Sequence, residues 1–435
     1  MTRQRAVELS LLLVAGVIVC VAYTLVSLGE RSSVPAGIVP FLLVVLGLLA
    51  AGHLSIRRLA PNADGSLFPI AALLNGLGYV FIARLDQDLA GLQATWTLVG
   101  MAGFVTTLVL VRDVRDLARY RYVFALVGIV LLFLPLLPVV GREINGARLW
   151  LRIAGFTIQP GEFAKIALAV FFAGYLVEKR ELLTLGRWRL GPLELPDPKH
   201  FGPLLVAWAV SLVVMVRERD LGSSLLFFTL FLVMLWISTG RTSYLVVGGA
   251  MFGAGAVAAW SMFDHVQQRV SIWLDPWQDV TGDGYQLVQS TFALASGGLT
   301  GSGPGVGSPG RIPAAETDFI FSVVGEELGM MGATAILAAY LMMVGIGLRI
   351  ATRSHDGVET LLAAGLTTII GVQAFLIIGG ILRVLPLTGI TLPFMSYGGS
   401  SLIANYILLA LLLRISSRTT PIANDALAPS VGAER

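Results

Sequence analysis

A succession of long apolar runs, separated by short charged segments, is the feature that most constrains this 435-residue chain. A helix needs about 20 apolar residues to cross a bilayer. The runs therefore predict an all-α polytopic membrane protein with about twelve transmembrane helices. The seventh run is short, so it is either tilted or continuous with the eighth through the charged residues 217–220. The predicted spans are residues 7–28, 36–52, 67–83, 93–111, 121–140, 161–177, 203–216, 221–238, 243–263, 320–348, 359–382 and 391–413.

The composition excludes several classes of protein. Only 13% of the residues are charged and 56% are hydrophobic, whereas soluble proteins carry about 25% charged residues. So few charges cannot cover a water-exposed surface, which excludes a soluble enzyme, a disordered protein and a nucleic-acid binder with a basic groove. The single cysteine, Cys20, excludes an intrachain disulfide, and the four scattered histidines lack metal-ligand spacing. The first run has no evident cleavage site and is predicted to be a retained helix.

The distribution of Lys and Arg predicts the orientation, because cytoplasmic loops carry an excess of these residues. With the N-terminus in the cytoplasm, 19 of the 30 basic residues fall on the inner side, 10 on the outer side and one, Lys165, within a span. Both termini are then cytoplasmic. The long segment 264–319 is extracytoplasmic.

Charged residues at the ends of spans are candidate site residues, because charge within a membrane is costly. Glu162 and Lys165 are three residues apart in QPGEFAK, so they share a helix face and pair either as a structural link between helices or as a wall of a substrate cavity. Arg148 lies among aromatic residues of an outer loop and suits either a phosphate or the membrane interface. Asp220 is either a helix N-cap or a site residue.

The outer segment 264–319 carries three aspartates among turn residues, Asp275, Asp279 and Asp283. Asx turns explain any one of them, calcium binding lacks the EF-hand spacing, and a carboxylate at the rim of a cavity suits a general base. The run GSGPGVGSPG at 301–310 is predicted to be the most flexible part of this segment.

Two further groups flank the last spans. Asp318 lies at the start of the tenth span, and Glu326 and Glu327 follow on the same helix but point about 100° apart, so they are expected to have different partners. The stretch 385–401 combines prolines, glycines and hydroxyls, which indicates irregular backbone lining a cavity. A serine nucleophile is discounted there because no base lies near Ser396, Ser400 and Ser401.

Together these motifs resemble those of the SEDS family (shape, elongation, division and sporulation), whose members include RodA and FtsW. The resemblance covers about residues 67–415, and the ending SYGGSSL is similar to the RodA type. The matching pieces occur in the family's order: the Gln93–Trp96 pair, GAR-W with QPGEFAK, DLGSS, RV–DP–D–G-GYQ–QS, GG–G-G, TDFIFSV-GEELG and P-TGI-LPF-SYGGSSL.

The resemblance implies a peptidoglycan glycosyltransferase that polymerises lipid II at the outer face of the bacterial cytoplasmic membrane, for cell elongation and shape, beside a class B penicillin-binding protein. It places the general base at Asp279. Undecaprenyl pyrophosphate leaves, and its charge is stabilised by arginines such as Arg148, with a divalent cation, Mg²⁺ or Mn²⁺, as a further candidate. The residues it implies as substrate-binding or supporting are Trp96, Arg148, Glu162, Lys165, Asp220, Gln286, Asp318, Ser396 and Ser400.

The chain also departs from the family's pattern. Gly161 replaces a usual serine, Glu218 and Arg219 precede the aspartate of DLGSS, Ala314 replaces a glutamate, and Ile377 replaces a frequent asparagine. Because the family core has ten spans, residues 1–66 are predicted to be an additional N-terminal helix pair. Residues 67–415 form the glycosyltransferase core, and 416–435 form a short cytoplasmic tail.

Two other classes of function remain open. A flippase or other transporter of lipid-linked precursors also needs ionisable residues in its spans, although the acidic groups here gather on the outer side. A non-catalytic scaffold of the cell-wall machinery would tolerate loss of the Asp279 carboxylate.

Overall fold

A computed structural model describes residues 3–32, 38–138, 140–144, 147–153, 155–184, 186–190, 193–196 and 220–419, with the short stretches 205–206, 209–210, 213–214 and 217–218. Helices dominate these residues, and 3₁₀ turns span Leu134–Leu136, Pro276–Asp279 and Pro309–Arg311. The helices are α1 (Arg3–Arg31), α2 (Ile38–Leu59), α3 (Leu67–Leu85), α4 (Gln87–Leu110), α5 (Val114–Arg119), α6 (Arg121–Phe133), α7 (Gly161–Glu178), α8 (Arg180–Thr184), α9 (Leu221–Thr239), α10 (Thr242–Met262), α11 (Asp264–Leu274), α12 (Tyr285–Gly297), α13 (Ile320–Arg353), α14 (Gly357–Ile381) and α15 (Gly399–Thr419).

The helical membrane fold predicted from the sequence is confirmed. Among the described residues, nine helices are long and apolar enough to cross a membrane: α1 to α4, α9, α10 and α13 to α15. Helix α6 is shorter, and α7 has 18 residues that include three charged ones. The predicted seventh span, 203–216, lies mostly outside the described residues. The total of twelve spans and the orientation stay predictions.

The last predicted span needs a correction at its start. Residues 391–398 are not helical, and α15 begins only at Gly399 and continues to Thr419. Pro393 removes a backbone donor, and Phe394 has a φ of 65°, which is incompatible with a right-handed helix. The prediction from hydrophobicity alone therefore extended this span into residues that form a loop in the structure.

Small β-sheets lie in two of the connections and were not predicted. Strands β1 (Gly141–Ile144), β2 (Ala147–Ile153) and β3 (Phe156–Ile158) form an antiparallel sheet in that order, and β4 (Gly186–Leu190) pairs with β5 (Leu193–Pro196). The turn from β2 to β3 passes through Gly155, whose φ of 88° suits glycine. Short alternating stretches such as these carry a weaker signal than the long apolar runs around them.

Helices α14 and α15 form the centre of the bundle, with 78% of their most apolar segments buried, whereas only 11% of the α2 segment is buried. Buried apolar side chains from both central helices belong to one large core cluster. A helix that is apolar on all sides fits the middle of such a bundle. The N-terminal pair and α10 are therefore peripheral helices.

Three connections meet at one end of the bundle, which the predicted orientation places outside and which we call the outer end. The backbone N–H of Tyr397 donates to the Glu316 carbonyl at 2.8 Å, and the Ser396 hydroxyl donates to the Thr317 carbonyl at 2.5 Å. The N–H of Gln159, after β3, donates to the Ser400 hydroxyl at 2.9 Å. The end of the β-sheet connection at Gln159, the outer segment 264–319 and the stretch 382–400 are thereby joined.

Helix α13 is interrupted near its outer end at Gly329, whose φ is 66° and ψ is −168°. The segment 298–303 supplies the hydrogen bonds that the helix loses at this break. Its amides at Ser302 and Gly303 donate to the carbonyls of Glu326 and Glu327, at 2.9 and 3.1 Å. Its carbonyls at 298 and 299 accept from the amides at 330 and 331.

The remainder of the Gly-rich run is held by the two glutamates that follow in the sequence. Glu327 accepts from the Gly305 N–H at 2.8 Å, and Glu326 accepts from the Ser308 N–H at 2.9 Å. The expectation of a flexible run at 301–310 is therefore corrected, because these amides are bonded to α13. The prediction that the two glutamates have different partners is confirmed.

The orientation can be tested with single cysteines. In a Cys20→Ser background, Gln267→Cys lies on the exposed face of α11 at the outer end, and Thr352→Cys is exposed at the opposite end of α13. A membrane-impermeant maleimide should label intact cells at position 267 and not at 352, and permeabilised cells should be labelled at both. Labelling at 352 alone in intact cells would reverse the orientation.

Candidate functional site

A polar cavity of about 360 Å³ lies at the outer end, between α11, α12, the top of α14 and the loop before α15. We call it the polar cavity. Arg269 and Gln268 reach it from α11, Asp283 and Gln286 from the start of α12, and Asp318 from the turn before α13. Apolar and aromatic side chains also line it, including Leu376, Ile377 and Trp273. A pocket with a few convergent polar groups and an apolar wall is typical of a ligand site.

Arg269 is the cation of the polar cavity. Its Nη1 donates to the Leu387 carbonyl at 2.7 Å, which fixes the side chain against the loop before α15. Gly389 lies beside it, and a Cβ there would be 3.7 Å from Asp318 Oδ2 and 3.9 Å from Arg269 Nη2. A guanidinium held in this way has further N–H groups for a phosphate or carboxylate. This arginine belongs to the RV motif of the sequence, and no role was predicted for it.

Asp318 is a partly buried acid in the wall of the polar cavity. Burial raises the pKa of its carboxyl to about 6, and the positive charge of Arg269 opposes that shift. The sequence prediction placed Asp318 at the start of the tenth span, and the structure brings it to the cavity wall. A carboxyl that titrates near neutral pH in a cavity is a candidate for proton transfer.

Asp279 lies in the turn between α11 and α12 and is exposed. Its carboxylate accepts from the backbone N–H groups of Gly282 at 2.9 Å and Asp283 at 3.0 Å. It therefore caps the turn that leads to Asp283 and Gln286, which line the polar cavity, while Asp279 is not among the lining residues. Its role as general base stays a prediction.

The predicted Glu162–Lys165 pair is present and buried. Lys165 Nζ lies 2.5 Å from Glu162 Oε2 and donates to Gln373 Oε1 at 2.9 Å. Neither residue of the pair lines the polar cavity, but Gln373 lies one turn of α14 below Ile377, which does. The pair therefore links α7 to α14 beneath the cavity. Gln373 was missed because it lies 208 residues away in the sequence.

Asp220 is the N-cap of α9, the first of its two predicted roles. Its Oδ1 accepts from the Ser223 N–H at 2.9 Å, and its Oδ2 has no hydrogen-bond partner within the described part of the chain. It is buried and lies within electrostatic range of Arg269 and Glu162. Asp220 thus belongs, with Glu162 and Lys165, to a layer of charged residues below the polar cavity.

The two predicted residues near the β-sheet have structural contacts. The indole of Trp96 packs edge-on against Phe156 at 5.4 Å between ring centres, and it covers Gly399. Arg148 is 51% exposed and its Nε lies 3.3 Å from Glu143 on the neighbouring strand. Arg148 does not line the polar cavity, whereas the preceding residue, Ala147, does.

Gln286 lines the polar cavity as an exposed side chain, but the two predicted serines lie in the loop and helix start behind it. Ser396 accepts from the Leu392 N–H at 3.0 Å in addition to its bond to Thr317, and Ser400 accepts from Gln159. Their hydroxyls connect backbone segments. Substrate contact by these serines stays a prediction.

The described residues do not provide a complete cation site. No three His, Cys, Asp or Glu side chains in this part of the chain converge on one point. Asp283 and Asp318 both line the polar cavity, but two carboxylates leave most positions of Mg²⁺ or Mn²⁺ to other oxygens. A requirement for a divalent cation stays a prediction.

An apolar groove of about 280 Å³ adjoins the polar cavity, and the two share Leu376 and Thr388. We call it the apolar groove. It lies between α9 and α10, below α11. Thr388 lies where the groove meets the polar cavity, and its buried hydroxyl has no hydrogen-bond partner among the described residues. Helix α10 is only 17% buried along its most apolar segment. The remaining side chains of the groove are apolar or small, among them Leu221, Leu225, Phe228, Phe252, Ala256, Ala259, Val266, Val270, Leu385 and Pro386.

Comparison with known proteins identifies the family. The model of the cell cycle proteins FtsW, RodA and SpoVE matches residues 67–421. The chain belongs to this family. The peptidoglycan glycosyltransferase RodA of Mycobacterium tuberculosis is 48% identical over 426 residues, covering 95% of this chain and 91% of that protein.

Two solved structures are similar to this FtsW/RodA/SpoVE chain. One comes from work on the coordination of polymerization and crosslinking by a peptidoglycan synthase complex, with a TM-score of 0.69, 27% identity, and 82% of this chain and 99% of that chain covered. The other is the rod shape determining protein RodA of Thermus thermophilus, with a TM-score of 0.59, 24% identity, and 82% and 98% coverage. The family model begins at residue 67, so the N-terminal pair lies outside it.

Loss of the buried ammonium group should destabilise this family member. Lys165→Met leaves the Glu162 carboxylate buried without its charge partner, and we expect the free energy of unfolding to fall by about 3–5 kcal/mol. Tryptophan fluorescence during thermal unfolding in detergent measures the change. The double variant Glu162→Met/Lys165→Met should recover part of the loss, and Lys179→Met, in an exposed pair, should have little effect. Equal losses in the single and double variants would contradict a coupled pair.

The raised pKa of Asp318 predicts a pH dependence of stability. The pKa of the Asp318 carboxyl in the folded protein, about 6, exceeds the unfolded value of about 3.9. The contribution of this group to the free energy of unfolding is therefore fully present below the unfolded pKa and is lost as the pH rises through about 6. The melting temperature of the wild type should therefore rise relative to that of Asp318→Asn between about pH 7.5 and pH 5. If the melting temperatures of the two proteins changed in parallel with pH, the raised pKa of Asp318 would be contradicted.

Proposed function

We propose that the protein is a peptidoglycan glycosyltransferase of the RodA type, which polymerises lipid II at the outer face of the bacterial cytoplasmic membrane for cell elongation and shape. The name of the mycobacterial relative at 48% identity supports the activity. The SYGGSS sequence at 396–401 supports the RodA type.

The observation that carries the proposal is that the polar cavity and the apolar groove are neighbours, with Leu376 and Thr388 lining both. Lipid II joins a disaccharide to a polyprenyl chain through a diphosphate, so its binding site needs a polar compartment and an apolar one with an anion-binding group between them. Arg269 provides the guanidinium in the polar cavity. The groove between α9 and α10 fits the first units of the prenyl chain.

In the proposed reaction, the 4-hydroxyl of the acceptor GlcNAc gives its proton to a carboxylate base. The freed oxygen bonds to the anomeric carbon of the MurNAc at the reducing end of the growing strand. The bond from that carbon to the diphosphate oxygen breaks, and undecaprenyl pyrophosphate leaves with the electron pair. Arg269 is better placed than Arg148 to stabilise the leaving charge, because it lines the polar cavity and Arg148 does not.

Two carboxylates are candidates for the base. Asp279 is implied by the family resemblance, and its exposed carboxylate adjoins the turn that carries Asp283 into the polar cavity. Asp318 lies in the cavity wall with a pKa raised to about 6. We retain Asp279 as the base, as the resemblance implies, and assign Asp318 to substrate binding, because its carboxyl lines the polar cavity.

We propose a class B penicillin-binding protein as the partner, together with the membrane lipids around the helices. One similar structure comes from a complex described as coordinating polymerization and crosslinking. No specific observation favours the transporter or the scaffold over the enzyme. The carboxylates of the polar cavity and of the adjoining turn lie at the outer end (Asp279, Asp283 and Asp318), whereas a transport path would need polar groups across the membrane.

Polymerisation of fluorescent lipid II by the purified protein tests the proposal. Asp279→Asn should lower the rate at least about 100-fold, because general base catalysis contributes a factor of this size. Asp275→Asn is the matched control, since Asp275 lies in the same turn, caps the Trp277 N–H and does not line the cavity. It should retain wild-type activity. EDTA in parallel reactions reports the metal requirement.

Each alternative has its own outcome in this assay. A wild-type protein that moves lipid II across proteoliposome membranes without making glycan would support the transporter. Wild-type rates in Asp279→Asn with a large loss in Asp318→Asn would transfer the role of base to Asp318. Cells that grow normally with Asp279→Asn, but fail when a helix surface is altered, would support the scaffold.

A further inference from the structure

We propose that the N-terminal helix pair positions the glycosyltransferase site, because the outer end of α1 clamps the Gly-rich segment 299–310 that leads to the polar cavity. This inference gives a role to residues outside the family model. The part of the inference that concerns catalysis rests on the proposed function.

The contact between α1 and the segment is a close approach of two backbones. A Cβ at Gly29 would overlap with the Pro304 carbonyl oxygen, and a Cβ at Gly305 would overlap with the Val26 carbonyl oxygen. Gly305 also has a φ of 78°, which favours glycine. Side chains at these two positions would force α1 and the segment apart.

Charged groups reinforce this contact from the core side. Arg84, near the end of α3, donates to the carbonyls of Gly305 and Gly307 at 3.3 and 3.2 Å. Its Nε lies 3.5 Å from Glu327, and its Nη1 lies 3.8 Å from Glu30 of α1. Arg84 thereby connects the N-terminal pair, the Gly-rich segment and α13.

The clamped segment lies between two parts of the outer loop that reach the polar cavity. It follows α12, whose first turns carry Gln286 and Leu287 into the cavity, and eight residues after its end the chain reaches Asp318 in the cavity wall. Its first residues are built into the break of α13, so they move only with that helix. Residues 304 to 308 depend on α1, Arg84 and the two glutamates. Displacement of this part would shift the Asp318 side of the cavity.

The N-terminal pair is also anchored at the opposite end of the bundle. Arg5 donates to the Ala63 carbonyl and pairs with Glu8, and Glu8 lies 2.9 Å from His53 on α2. Arg5 and Glu8 are both buried. The pair is therefore fixed to itself and to the start of the core, so α1 can act as a rigid support for the outer segment.

Gly29→Ala is the decisive variant, because alanine favours a helix and the added methyl group overlaps with Pro304. Gly16→Ala is the matched control on the same helix, since its Cβ would be 3.4 Å from Leu49 in ordinary contact. We expect Gly29→Ala to lower kcat/KM for lipid II about tenfold per folded enzyme, because small displacements at an active site are costly. Gly16→Ala should match the wild type.

Hydrogen exchange of the full-length protein measures how firmly the Gly-rich segment is held, independently of enzyme activity. Amides at 305–308 should exchange faster in Gly29→Ala than in the wild type, and at the wild-type rate in Gly16→Ala, whereas amides 302 and 303, which are bonded to α13, should be unchanged in both variants. Unchanged exchange in Gly29→Ala would refute the clamp. Faster exchange with wild-type kcat/KM would refute the positioning role.

Two further results keep the test decisive. If Gly29→Ala does not fold, Glu30→Gln removes the charge that faces Arg84 without adding an atom that collides. Wild-type exchange and wild-type kcat/KM in that variant would overturn the proposal. A wild-type protein that makes no glycan would refute the proposed function, while the exchange data would still decide the clamp.

Discussion

The buried ammonium group of Lys165 is the constraint on which the outer half of the bundle depends. It is 1% exposed and has two acceptors, Glu162 on its own helix and Gln373 on α14. An uncompensated charge at such a position costs several kcal/mol. The register of α7 against α14 is therefore fixed by charge as well as by packing. Because Ile377 lies one turn above Gln373, this register also sets the apolar wall of the polar cavity.

Above this layer, hydrogen bonds from side chains to the backbone hold irregular segments in place. Ser396, Ser400 and Arg269 each join the loop before α15, or the start of that helix, to another outer segment. In a membrane protein, irregular backbone needs such partners where water is scarce. The cavity is thus built from short segments whose positions are determined before substrate binds, which is a condition for electrostatic stabilisation of a leaving group.

The sequence predicts interactions that are local along the chain. The three-residue spacing of Glu162 and Lys165 was sufficient to predict their pairing, and the position of Asp220 before an apolar run allowed its N-cap role. The roles of Gln373 and Arg269 were missed because they arise from contacts with residues far away in the chain. The glycines of 301–310 suggested flexibility, but here they permit close packing against α1 and α13. Composition cannot distinguish these two uses of glycine.

The interruption of α13 at Gly329 has a mechanical consequence. Long transmembrane helices change their tilt with bilayer thickness, and a continuous helix would transmit that tilt to its outer turns. In α13 the hydrogen-bond ladder passes through the segment 298–303 at the break. The outer turn that carries Glu326 and Glu327 is therefore coupled to the loop more directly than to the long membrane-crossing part. The break therefore allows the membrane-crossing part of α13 to tilt about Gly329 while its outer turn stays bonded to the loop.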